Sequence, residues 1–166
     1  MVVMNCPKCG TSKTRLAPRK TVSDHLLSVL TIYPWRCQLC TSRFWTFLGQ
    51  PTINPRRNYE RVLVEFPVWF KPSVSTTQEI GQQGVIENLS IRGCRIRSND
   101  PVPTDARLKL EFQPSTFTFP ITIDGAVVRS SSKDAIGLRF VRLLREDEQR
   151  IRKIIDLWLP ENPRSH

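Results

Sequence analysis

Two Cys-x-x-Cys pairs, Cys6-Pro7-Lys8-Cys9 and Cys37-Gln38-Leu39-Cys40, stand 27 residues apart and constrain the first fifty residues more than any other feature. Each pair can place two thiolates on adjacent corners of a tetrahedron, so Cys6, Cys9, Cys37 and Cys40 together form a ligand set for zinc. Gly10 follows the first pair, where a positive φ lets the chain turn its amides toward sulfur. Thr41 holds the equivalent place after the second pair and suits it less well. Disulfides fit poorly with a start that shows no export signal, and a thioredoxin-like redox site needs one pair beside a βαβ pattern. His25 is not needed as a ligand when four thiolates complete the shell. An iron–sulfur cluster has the same ligand count and stays as the alternative. Four thiolates leave no open position for a catalytic water, so the metal reads as structural.

The segment resembles a zinc ribbon, with Cys-Pro-Lys-Cys-Gly as its most specific part. Fifty residues bury little core, so metal binding is expected to supply folding energy. Within the long insert, Ser23 to Leu30 predicts a short helix capped by Ser23 or Asp24. Tyr33, Trp35, Phe44, Trp45 and Phe47 crowd the second knuckle and read first as the small module's core. The chain of 166 residues carries a net charge of +10. Residues 1–50 hold seven lysines and arginines against one aspartate, which concentrates the excess there. A basic, aromatic-bearing zinc scaffold suits anionic partners, nucleic acid among them, or a protein partner.

Residues 51–60 follow as a linker, with Pro51 and Pro55 and then Arg56 and Arg57. From Arg61 the pattern changes. Val62, Val64, Phe66, Val68 and Phe70 alternate with residues that face the other way, the signature of a half-buried strand. Pro67 cannot donate to a ladder and predicts an edge or a bulge there. Five more short runs follow at near-regular spacing, at residues 84–89, 94–97, 108–112, within 117–129, and 135–141. Polar stretches at 71–83, 99–104 and 130–134 read as the connections. Six strands so spaced predict a mainly β fold, a six-stranded antiparallel barrel. Residues 145–160 predict a C-terminal helix, with Glu146, Asp147 and Glu148 in its first turn and an apolar stripe through Ile151, Ile154, Ile155, Trp158 and Leu159. The expected domains are thus 1–50, a linker at 51–60, and 61–166. No apolar run reaches the roughly 20 residues of a membrane span, and the expected location is cytoplasmic.

Two motifs point to a ligand. Arg57-Asn58-Tyr59-Glu60-Arg61 is RxxxR, and Asn88-Leu89-Ser90-Ile91-Arg92-Gly93 is NxSxxG between two predicted strands. In this order, followed by Ile136-Gly137-Leu138-Arg139-Phe140 and a helix, they resemble the signatures of the PilZ domain, over residues 54–160. That family binds the bacterial second messenger cyclic di-GMP on a six-stranded barrel, so the resemblance implies a non-enzymatic receptor. It implies that Arg57 and Arg61 clamp phosphates and guanine edges, that Asn88 and Ser90 hydrogen-bond a guanine, and that Gly93 keeps the turn tight. The family often has Asp where this chain has Asn88. Arg56 and Arg95 are further contact candidates on chemistry alone, since guanidinium matches both phosphate and the O6/N7 edge of guanine. The alternative is a zinc-ribbon nucleic-acid binder whose barrel is structural. No Ser–His–Asp set or phosphate loop is visible, and His25 and His166 are the only histidines.

Overall fold

The computed structural model describes residues 4–47, 57–73, 81–100 and 102–160. The chain divides into two compact units, one of residues 1–60 with 156–166 and one of residues 61–155. The first unit holds a three-stranded antiparallel sheet, β1 (Thr14–Leu16), β2 (Ile32–Cys37) and β3 (Arg43–Phe47), in that order. Helix α1 (Val22–Val29) crosses between β1 and β2 in sequence.

Thr21, not Ser23 or Asp24, caps α1: its hydroxyl accepts from the Asp24 amide, and Asp24, three residues into the helix, accepts from the Thr21 amide. This capping box satisfies two of the amides that a helix start leaves open. Asp24 is fully buried and accepts from Arg43 Nη2 at 2.7 Å, while the Lys20 amide donates to it at 2.9 Å. Burial opposes the charge, but Arg43 and these amides hold the Asp24 carboxyl well below the usual carboxylate range. A lowered folded-state pKa means the stabilisation is complete above about pH 4 and fades as pH falls further. Asp24→Asn is therefore expected to destabilise the first unit by about 2–3 kcal/mol, the lower end for a broken buried pair because Arg43 keeps some exposure. The deficit in denaturant unfolding should be the same at pH 7.5 and pH 5.5. A deficit that shrinks over that interval would contradict the ionised Asp24–Arg43 pair.

In the second unit, β4 (Val62–Pro72), β5 (Gln82–Ser90), β6 (Gly93–Arg97), β7 (Arg107–Phe112), β8 (Ile121–Ser132) and β9 (Ala135–Arg142) close an antiparallel barrel in the order β4-β5-β6-β9-β8-β7. The mainly β, six-stranded reading therefore holds, and so does the alternation that suggested it. Val62, Val64, Phe66, Val68 and Phe70 are buried, while Leu63 and Trp69 between them are exposed. Closure removes any free edge for Pro67. Pro67 pairs in register with Val85 of β5, the register shift against β5 falling earlier, between Leu63 and Phe66, and pairing with β7 begins only at Val68, beyond the proline.

Two connections are shorter than their polar composition suggests. Gln82 and Gln83 belong to β5, paired with Phe70 and Trp69. Ser130, Ser131 and Ser132 belong to β8, paired with Gly137, Ile136 and Ala135. In both places pairing to a buried neighbouring strand outweighs weak intrinsic strand propensity. Phe70, Phe112, Ile96, Ile123 and Ile136 fill the barrel, each at 2% exposure or less. Full burial of such side chains stabilises by about 1.5–3 kcal/mol apiece.

Helix α2 (Arg145–Trp158) has the acidic first turn expected of it. Of the expected apolar stripe, Ile151, Ile155 and Leu159 are buried and Ile154 is half-buried, whereas Trp158, at the last turn of the helix, is exposed. Asp147 accepts from the Thr122 amide at 3.4 Å, and Arg150 donates to the Pro120 carbonyl at 2.7 Å, tying the helix to the start of β8. Beyond Ile155 the chain belongs to the first unit, where Lys13 Nζ donates to the Leu159 carbonyl and Arg15 Nη2 to that of Pro160 at 3.3 Å. No helix among the described residues is long and apolar enough to cross a membrane.

Candidate functional site

In the barrel unit, β5 and β6 are joined by a tight hairpin, with Ser90 paired to Gly93 and only Ile91 and Arg92 between them. This turn carries NxSxxG. Asn88 lies in β5 opposite Arg95, half-buried, and its Oδ1 accepts from Arg61 Nη1 at 3.1 Å. The hairpin and the second arginine of RxxxR thus meet directly, although 27 residues separate them. Arg61 is also near enough to Cys94 for its positive charge to favour the thiolate, but burial dominates and pushes the Cys94 thiol up to about 12. Cys94 is fully buried, an inert part of the core.

Ser90 is 5% exposed, and its hydroxyl donates to the Gly93 carbonyl at 3.0 Å. In this chain it therefore shapes the turn. Gly93 is required by a close approach and not by a positive φ. A Cβ there would collide with the Leu138 carbonyl oxygen of β9 and lie 3.3 Å from Arg139 Cα. Arg95 is half-exposed and pairs with Glu87 at 3.4 Å, and Arg97 reaches the same carboxylate at 3.7 Å. Arg57 is exposed and belongs to the first unit, whereas Arg61 opens the second, so the motif straddles the division of the chain. Arg56 lies outside the described residues.

In the first unit the two knuckles bring four sulfurs together. The Sγ atoms of Cys6, Cys9, Cys37 and Cys40 all lie within 4.8 Å of one another, with Cys6–Cys40 and Cys9–Cys37 both at 3.6 Å. A tetrahedron with metal–sulfur bonds of about 2.3 Å has edges of about 3.8 Å, so the cluster is close to the size that zinc requires. The amides of Leu39 and Cys40 point at Cys37 Sγ at 3.4 and 3.3 Å, as a knuckle that stabilises thiolate requires. Gly10 takes φ +73°, and Thr41 takes φ +64°, so the second knuckle holds a β-branched residue in the left-handed region. The aromatics divide. Tyr33 and Trp35 are buried core, while Trp45, with Arg43 over its ring at 5.3 Å, and Phe47 are exposed.

Sequence reasoning missed what the second knuckle holds. Gln38, the variable position after Cys37, is 2% exposed. Its Oε1 accepts from the Glu60 amide at 2.7 Å, and its Nε2 donates to the Arg36 carbonyl at 3.1 Å and to that of Asn58 at 3.5 Å. Arg36 stacks over the Tyr59 ring at 5.4 Å and donates to its hydroxyl at 3.1 Å. Nothing in a Cys-x-x-Cys pattern marks its inner residues as ligands of another segment.

A closed barrel of this strand order, in which an arginine and an NxSxxG hairpin meet, defines a class of small β-barrel module. The family model described as PilZ domain matches residues 55–157, more than half of the chain, and the protein belongs to that family. Among solved structures, the chain is similar to the inhibitor of motility MotI/DgrA of Bacillus subtilis, at 18% identity and TM-score 0.50 over 75% of this chain and 64% of that one. It is also similar to YcgR of Escherichia coli, solved in complex with c-di-GMP, at 14% identity and TM-score 0.50 over 89% and 74%. The PilZ domain of CeSA from a cellulose-synthesizing bacterium matches at 13% identity and TM-score 0.47 over 58% of this chain and 95% of that one. At these identities the likeness concerns the fold. No curated protein matches.

Proposed function

We propose that the protein is a cyclic di-GMP receptor and not an enzyme, with Arg57, Arg61, Asn88, Ser90 and Gly93 as its binding set and Arg56 and Arg95 as further contacts. The observation that carries this reading is the Arg61–Asn88 hydrogen bond, which joins the two motifs in a chain of the PilZ family. The ligand of YcgR gives the chemistry: two phosphates, which need cations, and two guanines, whose O6/N7 edges take paired guanidinium donors. Asn88 supplies an amide acceptor that orients Arg61 and leaves its own NH2 for a base. Ser90 reaches a guanine only if its proton turns away from the Gly93 carbonyl. Arg95 must likewise exchange Glu87 for the ligand, an exposed pair that costs little to break.

In this reading Cys6, Cys9, Cys37 and Cys40 hold a structural zinc. Residues 1–50 form the output module, 51–60 the linker and 61–166 the sensor. Ligand binding rearranges the linker and the zinc module, which signals to a downstream protein or nucleic acid in the cytoplasm, where this messenger acts. Calorimetric titration of the zinc-loaded chain tests the receptor, with saturable binding expected. Arg61→Ala should weaken it about 10–100-fold, the loss of charge-assisted hydrogen bonds, and Arg57→Ala about tenfold. A wild-type chain that gives no heat and no saturation with cyclic di-GMP removes the proposal.

A further inference from the structure

We infer that Gln38 is a positioning residue that couples the metal knuckle to the ligand motif, so that the metal-loaded chain is the high-affinity receptor. The inference rests on the receptor reading above and adds its regulation. Gln38 lies between two of the four cysteines, yet its side chain does nothing for the sulfurs. Its carboxamide oxygen takes the Glu60 amide at 2.7 Å, and its NH2 group reaches the carbonyls of Arg36 and Asn58. Arg36, on the other flank of Cys37, holds Tyr59 by its hydroxyl and its ring face. Three consecutive residues inside RxxxR, Asn58, Tyr59 and Glu60, are therefore each held by side chains that flank Cys37. The next residue, Arg61, donates to Asn88.

A buried amide with its oxygen and nitrogen both engaged is fixed in orientation only while the backbone that carries it is fixed. Here that backbone is a knuckle whose amides point at Cys37 Sγ. With the four thiolates joined through one metal, Gln38 and Arg36 present a rigid groove, and residues 58–60 are ordered before any ligand arrives. Without the metal the knuckle loses its shape. The segment then has to be ordered at the moment of binding, and affinity falls by that entropy. Loss of the cysteine-bound metal to a chelator thus becomes an input that lowers ligand affinity.

The test uses the full, zinc-loaded chain and Gln38→Ala, with Tyr59→Ala as a second variant that leaves the knuckle untouched. Metal content is measured on every sample. Both variants should keep one zinc per chain and bind cyclic di-GMP about tenfold more weakly, the scale of ordering one further residue. Amide hydrogen exchange at Glu60, measured without ligand, should be slow in the zinc-loaded wild type and fast in Gln38→Ala and in chelated protein. Zinc-replete variants with wild-type or tighter affinity would overturn the coupling, as would Glu60 exchange that ignores both metal and Gln38. Should Gln38→Ala lose its zinc, Tyr59→Ala and the exchange data decide alone. A wild type that does not bind the dinucleotide counts against the receptor reading, while Glu60 exchange still decides the latch.

Discussion

Chelation of zinc is expected to unfold the first unit and leave the barrel standing. Among the described residues of that unit, the buried apolar side chains are Cys6, Ala17, Pro18, Tyr33, Pro34, Trp35, Cys37 and Leu159, and two of these belong to the four-cysteine cluster. Two aromatics contribute about 2–3 kcal/mol each, against an ordering cost of about 1–2 kcal/mol for every residue fixed. A structural zinc site provides roughly 10–16 kcal/mol of binding free energy near neutral pH, and in so small a unit that is folding free energy. Burial also raises the Cys37 thiol well above its ordinary value. Addition of a strong chelator should make residues 4–47 protease-sensitive and remove the near-ultraviolet signal of Tyr33 and Trp35. Barrel amides should keep their protection, because Phe70, Ile96, Ile123 and Ile136 belong to a separate core. Stoichiometric metal removal with no change in proteolysis would show that the module folds on protein contacts alone.

The second large effect is expected from Gly93→Ala. The new methyl group would overlap the Leu138 carbonyl oxygen and stand 3.2 Å from the Leu138 carbonyl carbon, both of them backbone atoms that no rotamer change can move. Relief requires β6 and β9 to separate at the register point Gly93–Arg139, beside the amide that Phe140 donates to the Arg92 carbonyl at 2.9 Å. Such overpacking costs about 2–4 kcal/mol. For a barrel of this size that lowers the melting temperature by about 10–20 °C. Ligand affinity should fall as well when measured well below the midpoint, because the hairpin that orients Asn88 and Ser90 is displaced. A melting temperature within about 2 °C of wild type would mean that the ladder yields easily, contrary to the closed geometry.

How far the sequence was legible depends on which interactions are local. Alternation from Val62 to Phe70 is a property of one strand, and the buried and exposed residues follow it without exception. The six barrel strands were readable for the same reason. Their ends were not. Ser130 to Ser132 and Gln82 to Gln83 have turn-like composition, and only the partner strands keep them extended. The α1 cap shifted to Thr21 because Asp24 serves better three residues in, where one carboxylate satisfies two amides and Arg43 together. For the candidate site, Arg61 and Asn88 were legible as motifs, and their contact is a tertiary fact. Ser90 and Gly93 were legible as residues but not in their local roles, a hydroxyl turned inward and a missing side chain against Leu138. Gln38 was illegible, since its partners are 20 and 22 residues away and its position in the knuckle is chemically unspecified.

The bond from Lys13 to the Leu159 carbonyl has a consequence for the birth of the protein. Lys13 is 8% exposed and its acceptor lies 146 residues later. At roughly 5–20 residues per second, about 7–30 s of translation separate donor from acceptor. Cys6, Cys9, Cys37 and Cys40 all precede the barrel in the chain and can capture metal before it is made. The unit they belong to nonetheless stays incomplete, with a cation bound for burial and no carbonyl to receive it, until the barrel and α2 have been made. The unit that precedes the barrel in the chain is therefore completed only after it.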